Sequence, residues 1–219
     1  MLPQGILNIA TAKAGHDRSP PAAAQTSPIR IAKNEKMHAA AILLEELQET
    51  ATLLEESVLS REDFRLAMRR LAGGVSIISG AGPDGPLGVT ATAVTSLTAD
   101  PPSILCCLNR SLELEAAVKE TGRFGVNMLR ADHHDLAKRF AGMAGVRGSA
   151  KFEQGNWTIL ASDVPALIDS LVTFDCRVDD LLEVGTHSIF VGLITQAHFG
   201  KSGDPLVYCD GTFASLVPL

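Results

Sequence analysis

The chain has 219 residues, 46% of them apolar, with 25 acidic against 19 basic side chains and a formal net charge of −6. That length suits one domain with an extension, and the acidic balance excludes the basic face on which nucleic-acid binders depend. No run of about eighteen uncharged apolar residues occurs, so no membrane span is expected; the start lacks the positive cluster of a secretory signal, and the cytoplasm is the expected compartment.

Residues 1–36 hold four of the eleven prolines, Pro3, Pro20, Pro21 and Pro28, without a hydrophobic period. They are expected to be a disordered or loosely ordered extension. From Met37, itself a possible initiator, residues 37–59 place Leu43, Leu47, Ala51, Leu54 and Val58 at steps of four and three, an amphipathic helix with glutamates available for its outer side. A domain of residues 60–219 follows. Ser60 opens a helix in capping-box form with Asp63; Phe64, Ala67, Met68 and Leu71 line one face, and Gly73-Gly74 is expected to end it.

The next stretch, Val75 to Thr90, contains GAGPDG, a match to the glycine pattern that cradles a dinucleotide pyrophosphate. The match lacks its context. Pro86 and the β-branched run LGVTATAV follow where a helix would have to open, so Asp84-Gly85 is read as a tight turn between antiparallel strands, with Gly85 at positive φ. Beyond it, GVSIIS, LGVTATAV, SILCCLN, FGVNML, LVTFDCRVDDLL, HSIFVGLITQAHF and PLVYCDGTFASL read as strands. Helices are expected near Leu112–Lys119 and Asp132–Phe140. So many strands with little helix between them favour a closed or nearly closed barrel over a doubly wound sheet. Cys106, Cys107, Cys176 and Cys209 show no CxxC spacing and are expected to be reduced, with Cys106 and Cys107 on opposite faces of a strand. His133 and His134 diverge by about 100° on a helix and are not expected to share a metal.

FRLAMRRLAGGVSIIS, GVTATAVTSLTADPPSILCCLN, FGVNML, LAKRFAG, FDCRV, THSIFVGLI and PLVYCDGTF occur in that order. Together they resemble the short-chain NAD(P)H:flavin oxidoreductases of the FMN-binding split-barrel type, which include the reductase components of two-component flavin-dependent monooxygenases. The likeness covers about residues 61–217. It implies a mainly β fold, a six-stranded Greek-key split β-barrel with short flanking helices, to which this chain adds its N-terminal helical extension. It also implies a homodimer, FMN or FAD at the barrel rim, NADH or NADPH as hydride donor, and a partner monooxygenase that takes the reduced flavin.

A flavin ring is best met by short side chains and backbone amides, and Thr90, Ala91, Thr92 and Ala93, with Ser96 beyond, provide such a wall. The same run also fits an ordinary edge strand. Asn109, Arg110 and Ser111 stand at the mouth of a predicted helix, where amides and dipole favour a phosphate; Ser111 equally fits a simple N-cap. The resemblance places the flavin phosphate near this loop, adds Val94 and Phe140 to the cofactor-binding residues, and gives His187 a role in positioning the nicotinamide. A lone histidine at a strand start also fits a structural hydrogen-bonder. Phe213 stands where relatives often carry a tyrosine, and the glutamate-rich helix lies outside the family pattern. No nucleophile triad or tuned carboxylate pair is evident, as expected of hydride transfer between stacked rings. Three alternatives stay open: a flavin-dependent reductase of a corrinoid or other cofactor, a non-catalytic flavin- or haem-binding module, and a ligand-free dimerisation domain.

Overall fold

The computed structural model describes residues 38, 40–48 and 59–217. The expectation for residues 1–36 lies outside them, as does most of the second half of the predicted 37–59 helix; residues 40–48 are helical. Residues Ser60–Leu219 form one compact unit, separate from the unit that ends at Leu59.

Helix α1 (Arg61–Met68) starts where the side-chain chemistry requires. Ser60 Oγ accepts from the Asp63 amide at 3.0 Å and donates to Asp63 Oδ2 at 2.7 Å, which satisfies one of the free first-turn donors. It ends before the diglycine, which instead forms a two-residue strand, β1 (Gly73–Gly74). The chain continues through β2 (Ser76–Gly82), β3 (Gly85–Ala91), β4 (Val94–Ala99), β5 (Pro102–Asn109), α2 (Glu113–Thr121), β6 (Arg123–Met128) and α3 (His134–Phe140). Then come β7 (Trp157–Ile159), β8 (Pro165–Leu167), β9 (Val172–Val184), β10 (His187–Phe199), β11 (Leu206–Cys209) and β12 (Thr212–Ser215). The GAGPDG stretch is the β2–β3 hairpin: Gly82 pairs with Gly85, whose φ is +125°, so only Pro83 and Asp84 lie between the strands.

Seven strands form the main antiparallel sheet, in the order β3-β2-β6-β9-β10-β5-β4. Its two edges, β3 and β4, are consecutive in the chain and joined only by Thr92-Ala93. A flat sheet of this width would hold its edges about 29 Å apart, far beyond the reach of a two-residue link. The sheet therefore wraps round on itself. The LGVTATAV run, expected to be one strand, breaks at this joint, where the backbone leaves the β2 ladder and turns towards β5. A second difference lies near the C-terminus: PLVYCDGTFASL is a hairpin, with Asp210 at φ 52° and Gly211 at 84° making the tight turn. It forms a three-stranded sheet with β1.

Strand alternation sends side chains to two cores. Ile78, Leu108, Val126, Cys176 and Phe190 meet inside the wrapped sheet, closed off by Leu114 and Val118 of α2. Ile77, one residue from Ile78, faces the other way into a second cluster with Leu136, Ala137, Phe140 and Leu206. Cys106 is likewise buried while Cys107 is half-buried, and all four cysteines are free thiols. Burial, with smaller contributions from neighbouring charges, pushes the Cys106 thiol up strongly and Cys176 up to about 12, so both stay protonated at neutral pH.

One polar hub ties the β7–β8 hairpin to the sheet. The wholly buried Asn127 side chain donates to Ile77 O (2.9 Å) and Ser79 Oγ (3.0 Å), and accepts from the Leu167 amide and the Thr173 hydroxyl, both at 2.8 Å. Ser79 Oγ in turn donates to Pro165 O at 2.6 Å.

Candidate functional site

Asn109 ends β5 and His187 begins β10, directly opposite one another in the ladder. Their neighbours Leu108 and Ser188 are buried inside, so alternation places Asn109 and His187 on the outer face. His187 is exposed, with Nδ1 2.9 Å from the Thr186 hydroxyl. Asn109 Oδ1 accepts from both the amide (2.9 Å) and the hydroxyl (2.8 Å) of Ser111, a local turn that delivers the chain to α2.

Ser111 is thus not the N-cap; Leu112 is, and it offers no side-chain acceptor to the first turn of α2. The Glu115 amide donates to Leu112 O at 3.1 Å, which leaves the amides of Glu113 and Leu114 available to an outside anion. Arg110 departs from expectation. Its guanidinium lies 2.9 Å from Glu183 Oε2 and donates to Gly185 O at 3.4 Å, so it clamps the β9–β10 turn instead of standing free for a phosphate.

The predicted wall divides. The Thr90 hydroxyl donates to Ala137 O at 2.6 Å and is committed to α3. Ala91 and Val94 pack against the inner core. Thr92 and Ala93, in the joint, are exposed, and the Ala93 carbonyl accepts from the Cys107 amide at 3.1 Å, beside the Asn109 end of β5. Ser96 is exposed but pairs with Ile104, five residues and about 17 Å along β5 from Asn109. Phe140 needs correction as a ligand contact: its ring is wholly buried, packed edge-on against Phe152 at 4.9 Å and beneath Gly88. A side chain at Gly88 would bring Cβ within 2.6 Å of that ring, which is why glycine stands between Leu87 and Val89 in this strand.

Sequence reasoning missed a pocket. A cavity of about 260 Å³ lies between Leu87 and Val89 of β3, Ser111 and Leu112 at the start of α2, and Arg147 and Lys151 from the loop after α3. It adjoins a hollow of about 330 Å³ bounded again by Arg147 and Lys151. Lys151 Nζ donates to Gly88 O (3.2 Å) and Phe140 O (3.1 Å), both neutral carbonyls. Burial holds its pKa below the ordinary lysine value, the direction expected of an ammonium withdrawn from water. The only sequence signal was two basic residues four apart around Gly148, in a stretch to which no element was assigned.

Behind the outer face runs an ionic strut. Glu115, 3% exposed, accepts from Ser188 Oγ at 2.5 Å and lies 2.7 Å from Lys119 Nζ. Lys119 continues to Glu183 at 2.5 Å, and Glu183 to Arg110. Burial raises the Glu115 pKa, but the hydrogen bonds from Lys119 and Ser188 outweigh it and hold the carboxyl below its usual value. A depressed folded-state pKa stabilises above the unfolded value and is lost as pH falls through the folded one. Acid unfolding should therefore begin in the carboxylate range, and Glu115→Ala should lower stability at pH 7 by about 1–3 kcal/mol, the cost of a buried hydroxyl without its acceptor. Urea titrations at pH 7 and pH 3 check this: the gap between variant and parent should shrink at the lower pH.

The family model described as "Flavin reductase like domain" matches residues 68–217. The chain belongs to this family. It is 35% identical over 156 residues to the 4-hydroxyphenylacetate 3-monooxygenase reductase component of Pseudomonas aeruginosa, covering 71% of this chain and 92% of the relative. It is 40% identical over 148 residues to the FMN reductase (NADH) RutF of Stutzerimonas stutzeri, covering 68% and 84%. Among solved structures, BorF, the flavin reductase component of a bacterial two-component tryptophan halogenase, superposes with a TM-score of 0.66 at 30% identity, covering 73% of this chain and all of that one.

A flavin nucleotide combines a flat ring with an anionic phosphate, and the residues of this flavin reductase-like chain fit both halves. Lys151, Arg147 and the start of α2 line one pocket that could take the anion; the exposed Thr92-Ala93 joint leaves the outer face open to a ring. Among the described residues no three His, Cys, Asp or Glu side chains gather as a metal site, and no helix is long and apolar enough to cross a membrane.

Proposed function

We propose that this chain is an NAD(P)H-dependent flavin reductase that delivers reduced FMN or FAD to a separate monooxygenase. The observation that carries the reading is the juxtaposition of an anion pocket at Lys151 with an open outer face that bears Thr92, Ala93, Asn109 and His187. Lys151, Arg147, Ser111 and the first α2 amides hold the phosphate; Asn109 shapes the loop that presents those amides. Thr92 and Ala93 flank the ring with short side chains, and Thr90, Ala91 and Val94 anchor that wall from behind. Arg110 acts through Glu183, fixing the turn that carries His187, and the exposed imidazole positions the nicotinamide. Bound flavin supplies the hydride acceptor, a transfer governed by positioning and needing no side-chain acid or base.

Counting β3 and β4 as one strand bent at the joint gives six strands in the wrapped sheet, which supports the six-stranded Greek-key split barrel. Exposed Leu182 and Val184, on one face of β9, supply apolar surface for a homodimer. We divide the chain into an extension (1–36), a helix (37–59) and the reductase domain (60–219). The free thiols fit a reducing compartment such as the cytoplasm.

Under anaerobic conditions the purified chain should oxidise NADH or NADPH in step with reduction of added FMN or FAD. Absence of turnover with either flavin, despite binding, would sink the proposal and leave a carrier module.

A further inference from the structure

Lys151, the ammonium of the anion pocket, stands on a six-residue 3-10 helix, Gly148–Glu153. Runs of this geometry longer than about three or four residues are uncommon, because their hydrogen bonds are poorly aligned. Support from upstream is thin. The link from α3 passes Gly142, Gly145 and Gly148, and among the described residues no atom beyond the chain neighbours lies within 4 Å of where a Cβ would stand at any of the three. What aims the lysine has to come from another element.

It comes from the last turn of α3. The Arg139 guanidinium donates from Nε to Lys151 O at 3.0 Å and from Nη2 to Ala150 O, and the same Nη2 lies 3.5 Å from Glu153 Oε2. Its two adjacent donors match two successive carbonyls, a geometry that a guanidinium offers and an ammonium does not. The next residue holds the other end of the lysine: Phe140 O accepts from Lys151 Nζ at 3.1 Å, and the ammonium stands 5.8 Å from the Phe140 ring centroid. Arg139 thus fixes the main chain of Lys151 and Phe140 its charge, both from a helix that Thr90 ties to β3. The Arg139 side chain is only 12% exposed and lines neither hollow of the anion pocket. Its donors are committed to the 3-10 helix and not to a ligand.

We propose that Arg139 is a positioning residue for flavin binding: through the Ala150 and Lys151 carbonyls it holds the Lys151 ammonium where a flavin phosphate is met, and so sets the preference for phosphorylated over unphosphorylated flavin. The inference rests on the flavin-binding reading above. Phe152, on the same 3-10 helix, packs its ring against Phe140 at 4.9 Å and Trp157 at 4.7 Å. Those contacts keep the segment docked when the guanidinium is replaced, so that only the aim of Lys151 loosens.

The test is a double-mutant cycle read by fluorescence titration of the full chain with FMN and with riboflavin. Arg139→Lys keeps the charge and removes the fork. It should weaken FMN binding about three- to tenfold, within the range for neighbours coupled in one network, and leave riboflavin binding unchanged, which also shows that the variant is folded. In a Lys151→Gln background the same substitution should cost less than about twofold, because no ammonium is left to aim. Equal losses of FMN affinity in both backgrounds would give Arg139 a role independent of Lys151; equal losses for FMN and riboflavin would make it structural only; no loss would make it dispensable. Each of these overturns the proposal. Should Arg139→Lys fail to fold, Arg139→Gln, whose one amide can serve a single carbonyl, carries the same cycle. A parent that binds FMN no better than riboflavin would remove the phosphate role of Lys151, and one that binds neither would remove the flavin reading itself, the inference falling with it in both cases.

Discussion

Lys151→Gln should weaken FMN binding by about 10- to 100-fold while leaving riboflavin binding nearly unchanged. The amide can still donate to the Gly88 and Phe140 carbonyls that orient the lysine, so the local fold is retained and charge is the main loss. A hydrogen bond to a charged group contributes about 1.5–3 kcal/mol, which corresponds to roughly that range of affinity. Because the ammonium is partly withdrawn from water and held by neutral carbonyls, its field is less screened than that of the exposed Arg147. Arg147→Gln should accordingly have the smaller effect and the stronger salt dependence. The comparison with riboflavin is decisive, since it lacks the phosphate: an equal loss for both ligands would place Lys151 at the ring, or nowhere near the flavin.

Asn127→Leu should be among the most destabilising single substitutions in the reductase domain, by about 3–5 kcal/mol. The replacement is similar in size, so a cavity is not the cause. Instead the Leu167 amide and the Thr173 hydroxyl lose an acceptor, and the Ile77 carbonyl and Ser79 hydroxyl lose a donor, all in the interior. Some of these groups have second partners: Thr173 also contacts Ser170 Oγ at 3.0 Å, and Ser79 also reaches Pro165 O. The Leu167 amide is the group left most exposed to the loss. Chemical denaturation should show a lower midpoint with an unchanged slope, whereas a change of less than about 1 kcal/mol would mean that buried water replaces the amide.

Features set by local chemistry were legible in the sequence. Ser60 and Asp63 dictate a helix start, Asp84-Gly85 a tight turn, and neighbouring Cys106 and Cys107 opposite faces of a strand. The Thr92-Ala93 break was not legible, because Thr92 is a good strand former and neither residue carries a turn signature; the interruption comes from wrapping a seven-stranded sheet until its edges meet. Asp210-Gly211 carried the same turn signature as Asp84-Gly85 but was absorbed into an apolar run that reads as one strand. At the site, the outer positions of Asn109 and His187 follow from alternation. Arg110 looked free because its partner, Glu183, is distant in the chain; Phe140 came with the resemblance, and Gly88, which admits its ring to the core, lies on another element. Lys151 had no local signature at all: its setting is assembled from β3, the end of α3 and its own loop.

The β2–β3 hairpin, which borders a cleft of about 550 Å³ against α2, runs past the end of its pairing with β6 and turns through only two residues, Pro83 and Asp84. Such tips accept insertions and deletions that strands packed on both faces cannot. A lineage could lengthen or shorten this tip, and so alter the reach of the cleft, without repacking a single core residue. Ligand choice here can drift at a different tempo from foldability, with the same barrel serving as a fixed chassis.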